Sequence, residues 1–280
     1  MGKIEKALRR TKTAGEVREK GSPRQRASLL NRAANESGDG LLANVPLLAE
    51  HAKLVPLDTD VLESNRVVVG SQPAGPATAY KMLRTRMLQR VASNGWHSVA
   101  ITSTRAGAGK SLTAVNTAIS LAQEHHQQVI LVDLDLRRPS VADVLGIRPK
   151  LGIVDYLAGK VPLEKIVTKT SIDRLMIIPN HTGVENSSEM LTSEKMAELV
   201  EVVSNPRNST IVLFDLPPLL ETDDFLAFSR LADAVMLIVA EGETGQSDLH
   251  RAAEAIADLD ILGIILNKSR GDEHPAGYYP

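Results

Sequence analysis

Six short apolar runs recur from residue 98 onward, and segments with helical periodicity lie between them. The runs cover residues 98–102, 129–133, 175–179, 210–215, 234–240 and 261–267. Each run is nearly continuous rather than alternating, which is typical of parallel strands covered on both faces. The helical segments include residues 111–123, 193–203 and 248–259. Because strands and helices alternate, the sequence predicts an α/β fold with a doubly wound, mostly parallel sheet.

The chain of 280 residues divides into three parts. Residues 1–70 are interpreted as a partly disordered N-terminal arm, with a short amphipathic helix at residues 3–10 and a polar linker at residues 13–40. Residues 71–270 form the α/β domain, and residues 271–280 form a flexible C-terminal tail. We therefore expect one large domain and two appendages.

Composition excludes several classes of function. Aromatic residues make up 3% of the chain, which argues against base-stacking on single-stranded nucleic acid, and cysteine is absent, so disulfides and thiolate sites are excluded. No apolar run reaches the roughly 18 residues of a membrane span, so we expect a cytoplasmic protein. Residues 1–32 contain ten Lys or Arg and three acidic residues. Such an arm suits an anionic lipid or an acidic partner, or is simply a solvated tail.

A phosphate-binding loop follows the first apolar run. The segment TSTRAGAGKS (102–111) joins that run to an amphipathic helix, which is the context of a P-loop. Gly107 and Gly109 allow a tight turn whose N–H groups face an anion, Lys110 neutralises phosphates, and the Ser111 hydroxyl ligates Mg²⁺. The full motif begins with glycine, where this chain has Thr104. The predicted cofactors are ATP and Mg²⁺, and the nucleotide-binding candidates are Thr104, Arg105, Ala106, Gly107, Ala108, Gly109, Lys110, Ser111 and Leu112.

Carboxylates end two of the other predicted strands. Asp133 and Asp135 follow the second run, and Asp215 ends the fourth. Carboxylates beside a P-loop hold Mg²⁺ or accept a hydroxyl proton. Aspartates at strand ends also cap the next helix or form turns, and this alternative stays open for the first pair.

The last run ends at Asn267, whose amide suits the edge of an adenine or a turn. The seven histidines show no spacing that suggests a metal site.

With these motifs in place, the chain resembles a bacterial tyrosine autokinase (BY-kinase) of exopolysaccharide or capsule assembly, a P-loop NTPase of the Mrp/ParA-like type. The resemblance covers about residues 78–279. Its most diagnostic stretches are ILVDLDLRRPSVADVLGI (130–147) and LGIVDYLAGKVPLEKIV (151–167). The start KIEKALRR (3–10) is similar to the variant associated with exosortase loci.

The resemblance implies a role for each motif. Lys110 and Ser111 would bind ATP and Mg²⁺, Asp133 would help to deprotonate the attacking tyrosine, and Asp135 and Asp215 would organise the metal. Lys110 and these three aspartates are thus the catalytic candidates, and Ser111, Asp135 and Asp215 are the Mg²⁺ candidates.

The resemblance also implies a substrate and partners. The acceptors would be Tyr278 and Tyr279 in the tail of a neighbouring subunit, although a tail with only two tyrosines is also consistent with an ordinary chain end. The activator would be a membrane chain-length determinant protein, which would recruit the kinase to the inner face of the membrane. A tyrosine phosphatase and a homo-oligomer are expected, and nucleic acid is not.

Two departures from the family pattern keep alternatives open. Thr78, Lys81 and Arg84 stand where the family's ring-forming helix has Glu, Arg and Arg. Arg105 stands where dimerising relatives place a second lysine, so it is either a loop residue or a group that reaches across a dimer. The alternatives are therefore a partition- or septum-type (ParA/MinD-like) switch ATPase that dimerises on ATP, and a non-enzymatic nucleotide-binding regulator of polysaccharide assembly.

Overall fold

The computed structural model describes residues 52–68, 75–204 and 210–269, together with residues 48 and 50. Three predicted features lie outside these residues, namely the helix at 3–10, the linker at 13–40, and the tail with Tyr278 and Tyr279.

Within the described part of the chain, eight strands form one sheet in the order β1-β4-β5-β3-β6-β2-β7-β8. They are β1 (Lys53–Val55), β2 (Ser98–Ser103), β3 (Gln128–Asp133), β4 (Thr168–Thr170), β5 (Leu175–Ile178), β6 (Thr210–Asp215), β7 (Ala234–Ala240) and β8 (Ile261–Asn267). Neighbouring strands are parallel except for β4 and β5, which are antiparallel. The predicted doubly wound, mostly parallel sheet is confirmed.

The six predicted strands are all present, with ends that differ from the prediction by at most one residue. The sequence did not predict β1 and β4. Each has only three residues, KLV and TKT, and neither forms an apolar run, because both lie near the sheet edge and keep exposed or half-buried positions. A strand so short and so incompletely covered lacks the continuous apolar run that marks a fully buried strand in sequence.

Nine α-helices occur in the described residues, together with a 3₁₀ turn at Leu163–Lys165. They are α1 (Thr59–Ser64), α2 (Pro76–Asn94), α3 (Lys110–Ala122), α4 (Val141–Val144), α5 (Ile153–Leu157), α6 (Ser187–Leu191), α7 (Glu194–Val203), α8 (Asp224–Ser229) and α9 (Gln246–Ala255). A helical segment predicted at residues 79–92 lies within α2, and those predicted at 111–123, 193–203 and 248–259 appear as α3, α7 and α9. The last ends four residues before the predicted Leu259, because the Ala257 and Leu259 N–H groups bond carbonyls three residues back and close a turn.

The core lies on both faces of the sheet, as the apolar runs predict. Along β3, Val129 and Leu131 pack into one hydrophobic cluster, and Ile130 and Val132 pack into the other. This alternation follows from the two-residue period of a strand. Full burial of each such side chain stabilises the fold by roughly 1.5–3 kcal/mol.

Part of the predicted N-terminal arm packs against this core. Leu62 of α1 and the following Val67 are buried in the same cluster as α3. The Asn116 side chain of α3 holds this segment, because its Oδ1 accepts the Val68 N–H at 2.6 Å and its Nδ2 donates to the Arg66 carbonyl at 3.3 Å. The boundary at residue 70 remains a prediction.

Helix α2 carries the three residues that depart from the ring-helix pattern, Thr78, Lys81 and Arg84. Arg84 is engaged within the chain: its Nη1 donates to the Ser120 carbonyl at 3.2 Å, and its Nε lies 3.0 Å from Glu124 Oε1. This guanidinium therefore braces the C-terminal end of α3. Among the described residues, no helix has the length and apolar character of a membrane span.

Candidate nucleotide-binding and phosphoryl-transfer site

The sheet order brings the predicted site residues to one edge. Strand β6 lies between β3 and β2, and in register Asp215 pairs with Asp133 on one side and with Ile101 on the other. Parallel strands end at the same edge of a sheet, so the loop that follows β2 lies beside both carboxylates. Open α/β sheets bind their ligands at this edge.

The P-loop has the backbone geometry of an anion cradle. Gly107 and Gly109 have φ angles of 78° and 84°, in the left-handed region that favours glycine. A Cβ on Gly109 would lie 2.4 Å from Asn267 Nδ2, so this position has no room for a side chain. Among the described residues, no protein acceptor takes the backbone N–H groups of residues 107–111. Such free N–H groups at the start of a 13-residue helix are suited to phosphate.

Lys110 lies at the centre of a buried charge cluster. Its Nζ is 2.9 Å from Asp135 Oδ2 and 3.4 Å from Asp215 Oδ1, and it donates to Ser111 Oγ at 3.1 Å. The ammonium thus lies among the three groups predicted to hold Mg²⁺. Burial alone would lower the pKa of Lys110, but Asp215, Asp135 and Asp133 outweigh it and raise the pKa above its ordinary value.

The two carboxylates at the ends of β3 and β6 are fully buried, and burial raises the pKa of each. The negative charge of Asp215 raises the pKa of Asp133 further, and Lys110 offsets part of the rise at both groups. Since burial is the largest cause, these aspartates hold protons more tightly than exposed ones. Bound cations would lower both values.

Asp133 also has the helix-capping role that the alternative predicted. Its Oδ2 accepts the N–H groups of Ser140 and Val141, each at 3.0 Å, where α4 begins. Its Oδ1 accepts the Asp135 N–H at 3.3 Å. The carboxylate therefore shapes the loop after β3. Its Oδ1 accepts a single hydrogen bond, which is longer than either of the two that Oδ2 accepts.

Other residues hold the P-loop from outside. Asn267 Nδ2 donates to the Ala108 carbonyl at 2.8 Å, so in this structure the amide fastens the loop, and a contact with adenine stays a prediction. The Thr104 hydroxyl lies 3.2 Å from that of Thr244. Leu112, which follows Ser111 in α3, is half-buried and packs against the core.

The first turn of the P-loop is tied to two acidic residues. Arg105 forms a two-pronged pair with Asp248, with Nε 2.6 Å from Oδ2 and Nη2 3.1 Å from Oδ1. The N–H of Ala106 donates to Glu221 Oε1 at 2.6 Å. The guanidinium of Arg105 is therefore neutralised within its own subunit.

The sequence analysis missed three residues at this edge: Ser140, Glu221 and Asp224. Ser140 donates its hydroxyl to Ser111 Oγ at 2.7 Å. Asp224 is fully buried and accepts hydrogen bonds from Arg137 and from a serine hydroxyl. Ser140 lies within the diagnostic stretch at 130–147, but its role there depends on a contact with Ser111 that the sequence does not show, and Glu221 and Asp224 belong to no local motif.

The residues present fit a magnesium-bound nucleoside triphosphate. The loop offers unpaired N–H donors, Lys110 supplies a cation at the helix start, and its ammonium contacts Asp135, Asp215 and the Ser111 hydroxyl together. Hydroxyl and carboxylate oxygens are the ligands that Mg²⁺ prefers. In this structure the ammonium of Lys110 is the cation that these oxygens contact.

Comparisons with known proteins agree with this geometry. Residues 95–273 match the ParA family model, described as a NUBPL iron-transfer P-loop NTPase. The tyrosine-protein kinase YwqD of Bacillus subtilis (strain 168) is 31% identical over 203 residues, which cover 71% of this chain and 84% of YwqD. The succinoglycan biosynthesis transport protein ExoP of Rhizobium meliloti (strain 1021) is 30% identical over 218 residues, covering 75% of this chain but only 27% of ExoP.

Among solved structures, the kinase domain of VpsO has a TM-score of 0.60 and 28% identity, and the match covers 69% of this chain and 95% of that domain. With a family model that matches well over half of the chain and a kinase relative matched over most of its length, the chain belongs to the bacterial tyrosine-protein kinases of the ParA-type P-loop NTPases.

Proposed function

We propose that this protein is an ATP-dependent protein-tyrosine kinase that phosphorylates Tyr278 and Tyr279 in the tail of another copy of the chain. The observation that carries the proposal is the position of Lys110, 2.9 Å from one strand-end aspartate and 3.4 Å from another, at the foot of a loop with free N–H groups. The similarity to YwqD supports tyrosine as the acceptor.

Phosphoryl transfer needs positioning and charge neutralisation more than covalent help from the protein. The N–H groups of residues 107–111 would hold the phosphates, and Lys110 would turn from the carboxylates toward them. Ser111, Asp135 and Asp215 would hold Mg²⁺, and the ion would help to neutralise the negative charge that develops on the phosphates. The negative charges of Asp135 and Asp215, which Lys110 would leave, would then be neutralised by Mg²⁺ in place of the ammonium.

Asp133 is the proposed proton acceptor for the tyrosine hydroxyl. Burial and Asp215 raise its pKa, so it takes up a proton more readily than an exposed aspartate. Two backbone N–H groups occupy Oδ2 at 3.0 Å, whereas Oδ1 accepts only one, at 3.3 Å. Oδ1 is therefore the atom that would receive the proton.

The proposed biological role is regulation of exopolysaccharide chain length and export. The resemblance to ExoP, a succinoglycan transport protein of which this chain matches 27%, supports a polysaccharide context. The proposed activator is a membrane chain-length determinant protein, with a tyrosine phosphatase opposing the kinase at the cytoplasmic face of the membrane. Iron transfer, named in the family model, is not carried over, because iron–sulfur clusters are held mainly by cysteine and this chain has none.

The test is phosphate mapping by mass spectrometry after incubation with ATP and Mg²⁺, with the cytoplasmic segment of the membrane partner added. We expect phosphotyrosine at Tyr278 and Tyr279 in the wild type and none in Lys110→Met. Mixing Lys110→Met with an active Tyr278→Phe/Tyr279→Phe variant distinguishes transfer between subunits from transfer within one subunit, because the first chain keeps the tail tyrosines and the second keeps the active site. Phosphate on the Lys110→Met tail establishes transfer between subunits.

Two results would overturn the proposal. If wild-type protein carries no phosphotyrosine even with the partner segment added, the kinase hypothesis is wrong. Phosphate on the wild-type tail but not in the mixture would confine the transfer to a single subunit. ATP-dependent dimerisation without phosphotyrosine, lost in Arg105→Ala, would instead favour the switch ATPase.

A further inference from the structure

Ser140 lies in the loop between β3 and α4, and its hydroxyl is directed at the predicted magnesium ligand. Its Oγ donates to Ser111 Oγ at 2.7 Å, across 29 positions of the sequence. The 2.7 Å length is near the usual value for a hydrogen bond between two hydroxyls. This contact joins the second motif of the site to the P-loop helix.

The hydrogen bonds of Ser111 show what this contact does. A serine hydroxyl has one proton to donate and two lone pairs. Lys110 and Ser140 both donate to Ser111 Oγ, at 3.1 Å and 2.7 Å. Both lone pairs of this oxygen are therefore occupied. When Lys110 turns to the phosphates, the lone pair that it leaves would become available to Mg²⁺, beside Asp135 and Asp215, which the same ammonium contacts.

Ser140 is itself fixed in place. Its backbone N–H donates to the fully buried Asp133 carboxylate at 3.0 Å, beside the N–H of Val141. The Ser140 side chain therefore starts from a backbone anchored to the end of β3. Ser140 is half-buried. Its hydroxyl donates its single proton to Ser111, across the space between the loop after β3 and the P-loop helix.

We propose that Ser140 is a positioning residue for Mg²⁺: its hydroxyl holds Ser111 Oγ so that one lone pair points at the metal position. The proposal rests on the Mg-ATP site proposed above. It is specific to the metal, because Ser140 contacts the ligand Ser111, whereas the phosphate donors are the loop N–H groups. Loss of such a partner behind a metal ligand typically weakens metal binding 10- to 100-fold.

The test is calorimetric titration of Mg²⁺ into the protein saturated with ADP, compared with binding of ADP in EDTA. For Ser140→Ala we expect at least ~10-fold weaker binding of Mg²⁺ and ADP binding in EDTA that is unchanged. Ser140→Thr, which keeps the hydroxyl, should restore the wild-type affinity for Mg²⁺. Ser140→Cys, of similar volume but with a weak donor, should fall between the two. Ser247→Ala, at an exposed serine in α9, is the matched control and should bind Mg²⁺ like the wild type.

The outcomes separate this proposal from the function on which it rests. If the wild type binds Mg²⁺ with ADP and Ser140→Ala binds it equally well, the positioning role is wrong and the nucleotide site stands. If Ser140→Ala weakens ADP binding in EDTA as much as it weakens Mg²⁺ binding, or if Ser140→Thr does not restore the affinity for Mg²⁺, Ser140 only supports the structure of the loop after β3. If the wild type binds neither ADP nor Mg²⁺, the nucleotide site itself falls. Should Ser140→Ala not fold, the comparison of Thr with Cys decides the matter.

Discussion

Replacing Lys110 with methionine should make the stability of this protein fall more steeply with rising pH than that of the wild type. The change shortens the unbranched side chain by one atom and leaves three buried carboxylates, Asp133, Asp135 and Asp215, without their cation. At an effective dielectric constant of about 20, the attractions at 2.9 and 3.4 Å amount to roughly 6 and 5 kcal/mol before desolvation. Breaking a buried pair costs about 3–5 kcal/mol in practice.

Protonation limits this cost and sets its dependence on pH. A carboxyl group forced to keep its proton in the folded state has a raised folded pKa, so its penalty is absent below the unfolded pKa and grows as pH rises toward the folded pKa. The penalty is about 1.36 kcal/mol for each pH unit above an unfolded value of about 3.9. One additional protonated carboxyl therefore costs about 4 kcal/mol at pH 7 and about 1.5 kcal/mol at pH 5.

The assay is urea unfolding at pH 7 and pH 5, followed by circular dichroism, with Lys150→Met at an exposed lysine as the control. We expect the deficit of Lys110→Met to shrink by about 2–3 kcal/mol at the lower pH. Mg²⁺ alone should restore stability in this variant, by about 2.7 kcal/mol at 100 times its Kd. A deficit that is the same at both pH values, or no deficit at all, would refute the account of Lys110 as the cation of this cluster.

Three further predictions follow from contacts elsewhere. Gly109→Ala should weaken Mg-ATP binding more than Gly107→Ala does, because both have positive φ but only the first places a Cβ against another side chain, and calorimetry of both variants measures the difference. Asp224→Ala should lower the free energy of unfolding by about 1–3 kcal/mol, because it leaves the buried Ser187 hydroxyl without its acceptor, while the exposed Arg137 returns to water; equal urea midpoints for variant and wild type would contradict this. Burial would raise the pKa of Asp155, but the Gly152 N–H and a neighbouring histidine lower it, so its contribution is present above the unfolded pKa and lost as pH falls through the folded value. Asp155→Asn should therefore flatten the acid limb of the stability profile in a pH series of thermal melts.

Local patterns were sufficient for the inner strands and the P-loop. An inner parallel strand must be apolar on both faces, so the run at 129–133 is visible without knowledge of its neighbours. The loop is visible because Gly107 and Gly109 must adopt positive φ before Lys110 starts the helix. The short strands β1 and β4 and the early end of α9 were not predicted, because none of them is marked by a local apolar signal.

The sequence by itself determined that three aspartates lie at the ends of two strands and that a phosphate loop follows the first predicted strand. Only the tertiary structure decided which atoms of these residues meet. The order of the strands places Asp215 between Asp133 and the loop, and it brings Ser140 to Ser111 and Asn267 to Ala108, which are 29 and 159 positions apart. Contacts at such separations depend on how the whole sheet pairs and buries its faces, and no short segment of sequence encodes that pairing.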